Sequence, residues 1–457
     1  MIFNQFEFLF LFLPAVLIAF NAPRCGGLRP LLLVSASFVF YGLSGIEHAV
    51  VLATGIVWVY LWTRGDAIVG SKAWLVIAVV PPVGALFYYK YLGFFLRELV
   101  GADIATGGET FELFANIVLP AGISFFTFQL VSFAIDRYRD EIDNVPRLEL
   151  FALYISFFPQ LVAGPILRYR HVADGLARLS RFSLSSERAS KAIGYICLGL
   201  AAKVLIADTL SNYQAPLIDM PGGLSVTASV FVVFAYSFQI YFDFYGYSLI
   251  AIGLGALFGF DFPKNFDRPY EALNPRDFWR RWHLTLSYWI RDYLYLPLGG
   301  NEAYARNILI VFALCGLWHG AGWTFIVWGL YHAALVVLYH ITRSAWNQVP
   351  DLVQTAATFI LVSLGWVLFL FDFQGVGDFT LSLLGLNPVT VADPTLEMWA
   401  ALAVAALICF RARFESIAES LEERLIASMA RTAGFAGLFV VTLLFLDRSQ
   451  TFIYFRF

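Results

Sequence analysis

The chain has 457 residues, of which 60% are hydrophobic and 14% charged, and a formal net charge of −3. A chain so apolar and so poor in charge is a polytopic membrane protein rather than a string of soluble domains, and without a dense Lys/Arg block it is not a nucleic-acid binder. Cys25, Cys197, Cys315 and Cys409 stand at neither zinc-ligand nor Cys-x-x-Cys spacing, so they imply no metal and no redox chemistry and read as small apolar fillers.

The N-terminal run MIFNQFEFLFLFLPAVLIAF lacks a basic start and carries Glu7, so it reads as a retained first span rather than a cleaved signal peptide. Apolar runs of spanning length recur from Phe6 to Leu446, which predicts one integral-membrane domain over 1–457. Loop charge then orients the spans. The 63–72 loop (Arg64, Lys72), the 168–191 loop (Arg168, Arg170, Arg178, Arg181, Arg188, Lys191), the Arg-rich 264–291 segment and the 411–431 loop (Arg411, Arg413, Arg424, Arg431) read as cytoplasmic. The 208–223 and 373–397 segments hold Asp208, Asp219, Asp378, Asp393 and Glu397 with no basic residue, and read as external. Counting back and forward from these loops places both termini outside.

Parity exposes three irregular places. Residues 147–167 end in PQLVAGPILRYR, where Pro159, Gly164 and Pro165 break a helix; a re-entrant or half-crossing segment is expected there. With 192–207 and 224–244 forming an out-and-back pair, 245–260 is left with no job as a full span. Between Arg306 and Arg343 lie about 35 residues, too few for two full crossings at roughly 20 residues each. The turn at WHGAG is therefore expected within the bilayer, which is tolerated only where backbone is buried in protein or lines a wet cavity.

Two stretches carry candidate chemistry. In LNPRDFWRRWHLTLSYWIRDYLYLPLGGN, Asn274 reads as N-cap, with Pro275 at the first helical position and Asp277 near N3. At about 100° per residue, one continuous helix puts Trp279, Trp282, Leu286, Trp289, Ile290 and Tyr293 on one face and Arg276, Arg280, His283, Ser287 and Arg291 on the other. Such a helix either lies against anionic headgroups or lines a funnel for a charged carrier; the imidazole among the arginines favours the funnel. In LWHGAGWTFIVWGLYH, His319 stands among Gly316, Gly320 and Gly322, which permit close approach of backbone or ligand. Ionisable groups at that depth tend to be functional, and burial keeps the ring neutral, as a general base requires. His332, thirteen residues on, reads as structural, a partner of His319 only if the chain folds back; His48, His171 and His340 read as interfacial. Asp243 invites a long-range basic partner, and Lys203 and Asp208, five apart, read as poor helix-face partners. No GxSxG, Walker-type loop or HExxH is present, which leaves serine hydrolase, NTPase and zincin chemistry unsupported.

Taken together and in order, FLFLFLP, LPAGISFFTFQ, FPQLVAGPILRYR, KVLIADTL, QIYFDFYGYS, the NPRDFWRRWHLTLSYWIRDYLYLPLGGN and GLWHGAGWTFIVWGLYH stretches, and the terminal FIYFRF resemble the membrane-bound O-acyltransferase family. The likeness is strongest to its bacterial branch of alginate O-acetylation and teichoic-acid D-alanylation proteins. Two departures stand out: Tyr245 and Leu249 replace the Ser and Asp of that branch's FSGYSD, and Gln160 stands where alginate-type members carry His. The resemblance implies an all-α ring of roughly 11 transmembrane helices with re-entrant segments around a central tunnel. It implies that His319 is catalytic and His283 the second motif residue; the substrate-binding set expected beside them is Arg280, Arg276, Trp318, Asp243 and Gln160.

The function implied is transfer of an acyl group, most simply acetyl, from a cytoplasmic thioester such as acetyl-CoA, for O-acetylation of an exported polysaccharide such as alginate. No bound cofactor or metal is needed. The expected setting is a bacterial inner membrane. The expected partners, besides lipid, are an extracytoplasmic acceptor or transferase protein and, on the donor side, a cytoplasmic acyl carrier. D-alanyl transfer from a carrier protein is the alternative within the family, and a non-catalytic channel or lipid transporter the alternative outside it.

Overall fold

The computed structural model describes residues 2–22, 26–100, 117–162, 164–418 and 429–453. Cys25, Arg424 and the last four residues of FIYFRF lie outside this set. Among the described residues every regular element is a helix and none is a strand. Six helices have the length and apolarity to cross a bilayer: Ile46–Thr63, Lys72–Glu98, Ser186–Ile218, Val226–Leu257, Trp323–Trp346 and Asp351–Leu370. Shorter apolar helices run over Glu7–Asn21, Gly26–Gly42 and Ala433–Leu444. The chain is an all-α polytopic membrane protein. Its contacts group into two compact units, one of residues 1–192 with 251–263, the other of 193–250 with 264–457.

In the first unit the helices are held by aromatic packing: the rings of Phe8 and Phe158 stand 5.8 Å and 5.7 Å from Phe40. The expected break at 147–167 is present. Helix Leu148–Ser156 stops at Phe157, a single turn spans Phe158–Leu161, and residues 164–168 are not helical. Pro159 opens that turn, where its missing N–H costs nothing. The buried Arg137 guanidinium donates to the carbonyls of Thr63 (3.3 Å) and Ile142 (2.5 Å) and pairs with Asp66 at 3.0 Å, so it closes loops rather than serving a site.

Residues 245–260 form no span of their own, as the parity count expects, yet most of them are regular helix. Residues Val226–Leu257 form one helix of 32 residues, its apolar window 94% buried. At 1.5 Å per residue that is about 48 Å, longer than the hydrocarbon core, so a single helix absorbs the surplus residues. Gly246 lets this helix meet Ser186–Ile218 backbone to backbone, since a Cβ there would stand 2.6 Å from the Gly199 carbonyl oxygen. The 308–342 stretch is a helical hairpin, Tyr304–His319 and Trp323–Trp346, broken at Gly320–Gly322 where the WHGAG motif predicted.

Candidate active site

Asn274 is the N-cap foreseen for the arginine-rich segment, its side chain accepting from the Asp277 N–H at 2.8 Å. The continuous helix expected after it does not form. Pro275–Trp279 ends after one turn and the chain restarts as Leu284–Ile290, with His283 between them at φ 45°. A non-glycine residue in the left-handed region is strained, and such strain clusters at functional sites. It is held here by Asn265: the main chain of Leu284 donates to the Asn265 carbonyl (2.9 Å), and Thr285 Oγ1 donates to Oδ1 (2.9 Å). The break also overturns the two-face assignment. Trp279, Trp282 and Leu286 line the same cavity as Arg276, Arg280, His283, Ser287 and Arg291.

That cavity, about 240 Å³, contains His319 as well. Its wall is graded. Arg280 and Arg291 are exposed and Arg276 half-buried, whereas His283 and His319 are 1% and 5% exposed. Arg291 pairs with the adjacent Asp292 at 2.6 Å. Arg276 and Arg280 have no carboxylate partner among the described residues, and both guanidiniums act on the Tyr304 phenol against the rise that burial gives it. Residues 291–295 form a wide i→i+5 turn, which brings Tyr295 into the lining beside Arg291; such turns recur at functional sites.

The His283 tautomer follows from its partner. Asn265 Oδ1 can only accept, so Nδ1 at 3.0 Å carries the proton and Nε2 keeps its lone pair. Nε2 is buried without a hydrogen-bond partner among the described residues. Burial pushes the imidazolium's pKa from 6.5 down to about 3, so the ring is neutral at physiological pH. The Trp318 ring stands 4.9 Å from His319 and 6.2 Å from His283, and is buried rather than part of the cavity lining.

Three other expectations resolve differently. Lys203 and Asp208 do pair, at 2.5 Å, because residues Ala202–Ala207 form a wide turn that aligns positions five apart. Asp243 is the third member, 2.8 Å from Lys203, so its basic partner is identified and its carboxylate belongs to a buried ion triad rather than to the cavity lining. His332 is folded back against the Trp328 ring (5.0 Å), which also touches His319 (5.1 Å). Among the described residues neither His332 ring nitrogen has a hydrogen-bond partner, so the ring is held there by aromatic packing. Gln160 is buried in the first unit, where Nε2 donates to the Tyr154 carbonyl at 2.5 Å and Oε1 has no hydrogen-bond partner among the described residues. Asn265 was missed by sequence reasoning. A lone Asn in a loop carries no signal until the fold places it under His283.

The cavity thus joins two buried histidines to arginines at its mouth. Residues 85–374 match the membrane-bound O-acyltransferase family. The chain is 32% identical to the peptidoglycan O-acetyltransferase of Helicobacter pylori over 411 residues, covering 81% of this chain and 77% of that one. It is 37% identical to the probable alginate O-acetylase of Pseudomonas aeruginosa (81% and 72% covered) and 26% identical to the teichoic acid D-alanyltransferase of Streptococcus thermophilus (67% and 75% covered). The chain belongs to the membrane-bound O-acyltransferase family, and its activity is O-acyl transfer.

Proposed function

We propose that this enzyme takes an acetyl group from a cytoplasmic thioester, acetyl-CoA or an acyl carrier, and passes it across a bacterial inner membrane for O-acetylation of an exported polysaccharide of the alginate type, with an extracytoplasmic protein as acceptor or onward transferase and both termini outside. The observation that carries the reading is the cavity shared by His283, His319 and two arginines that have no carboxylate partner among the described residues. Acetyl is favoured over D-alanyl by the higher identity to the O-acetylating relatives.

In this reading Arg276 and Arg280 hold donor phosphate at the mouth by charge-assisted hydrogen bonds. His319 removes the proton from the acceptor hydroxyl as its oxygen attacks the thioester carbonyl carbon. The C–S bond then breaks and the thiolate leaves, taking a proton back. His283, neutral with its Nε2 lone pair available, does not suit a phosphate. It accepts a hydrogen bond from the hydroxyl or from an amide N–H of the donor arm.

The test is acyl transfer from labelled acetyl-CoA by purified His319→Ala. A loss of at least ~10²-fold in a folded protein is expected; near-normal turnover would return His319 to the core.

A further inference from the structure

The mechanism leaves unused the buried triad of Lys203, Asp208 and Asp243, which sets two carboxylates against one ammonium, all at most 3% exposed. One negative charge is in excess, so the carboxylates keep acceptor capacity that buried groups must fill. The segment 449–453 fills it. Ile453 donates its main-chain N–H to Asp243 Oδ2 at 2.7 Å, and Ser449 Oγ donates to Asp208 Oδ2 at 3.0 Å. Between them Phe452 is 1% exposed, its ring stacked on Tyr247 at 4.4 Å and 5.9 Å from Phe244. Phe244 is in turn edge-on to the His283 ring, 4.7 Å away at 89°.

We infer that residues 449–453 are a positioning element for His283, acting through Phe244 and anchored by the triad. Asn265 fixes one edge of the imidazole and its tautomer; a hydrogen bond at one nitrogen leaves the ring free to rock about that bond. Phe244 blocks that motion, and Phe452 holds Phe244 in place. Asp243 thus serves transfer without touching substrate: its carboxylate ties the tail to the helix that carries Phe244. The inference rests on His283 being part of the transfer site.

The experiment is a double-mutant cycle on the full-length protein between Phe452→Ala and His283→Gln, with Phe452→Leu, which keeps most of the volume, as the variant that decides if Phe452→Ala does not fold. Thermal unfolding selects the folded variants, and kcat and KM for the thioester donor are then measured separately. A positioning role lowers kcat about tenfold, a larger change than in KM for the donor, because the arginine mouth is untouched. The loss disappears in the His283→Gln background, since there is no imidazole left to position. Normal kcat in a folded Phe452 variant, or the same loss in both backgrounds, would overturn the proposal. Failure of the site reading looks different: His283→Gln alone would then leave kcat unchanged.

Discussion

The hairpin that carries His319 is closed by two glycines, and adding one methyl group tests whether that closeness sets the site. A Cβ at Gly329 would lie 2.1 Å from the Phe312 carbonyl oxygen, and one at Gly316 would lie 2.1 Å from the Phe325 carbonyl oxygen. Ordinary contact begins at 3.4 Å, so each substitution falls short by 1.3 Å (3.4 less 2.1) against main chain that cannot rotate aside. In Gly329→Ala the two helices must part by about that distance. Overpacking of this kind costs roughly 1–3 kcal/mol, and an error near 1 Å at a reacting group costs on the order of 10²-fold. His319 ends the first helix of the hairpin and receives the shift. Gly329→Ala should therefore unfold at a lower temperature and lose ~10- to 10²-fold in acyl transfer, measured as label moved from thioester to acceptor by the purified protein in lipid. Gly377→Ala is the control: nothing lies within 4 Å of its added Cβ, and within a helix Ala is better than Gly by up to ~1 kcal/mol. Unchanged unfolding temperature and turnover in Gly329→Ala would refute the claim that the glycine contact positions His319.

Arg280→Ala should raise KM for a phosphate-bearing donor more than it lowers kcat; an unchanged dependence on donor concentration would return this arginine to the headgroup-anchoring role. His332→Leu should not lower the unfolding temperature, because no hydrogen bond to the described residues is lost and a buried polar ring without one, which costs about 1–3 kcal/mol, is removed; a marked loss of stability would reveal a hydrogen bond to this ring. For pH, the His283 of the unfolded chain takes up a proton below about 6.5 while the folded ring resists down to about 3, so its contribution to stability falls as pH drops through that window, by at most ~1.4 kcal/mol per pH unit. His283→Gln should flatten that slope in unfolding temperature between pH 6 and 4, and an identical slope would mean that His283 is protonated in the fold. Reporter fusions at the C-terminus and in the Arg178–Arg188 loop should report opposite sides of the membrane, outside and inside; the same side for both would remove the donor-side assignment.

What the residues alone disclosed was whatever regular geometry or punctuation controls. Apolar run length gave away the helices, Asn274-Pro275 the start of the arginine segment, Pro159 and Gly164 the interruption before Tyr169, and WHGAG the hairpin turn, since each is a local signal read by the same backbone it shapes. The grouping of His283 and His319 was legible through the family motifs, and that of Arg276 and Arg280 with His283 through their spacing. Two misreadings come from assuming 3.6 residues per turn where the chain departs from it. Lys203 and Asp208 meet because one turn is widened, and the supposedly opposite faces of the arginine segment converge because the helix breaks at a left-handed His283.

Those departures share a cause that bears on the chemistry. A continuous amphipathic helix with His283 on its arginine stripe would leave that ring beside exposed guanidiniums. In the folded protein the chain instead gives up a helical turn between Trp279 and Leu284, and Asn265 takes over the hydrogen bonds that the turn would have made. The result is an imidazole 1% exposed, desolvated and fixed in one tautomer, in the same cavity as arginines that remain solvated at its mouth. The proposed mechanism calls for charge to grip a phosphate and a neutral ring to accept a hydrogen bond within one short stretch of sequence, and a regular helix cannot bury one while wetting the other on the same face. The local strain at His283 is the structural condition for placing both in one cavity.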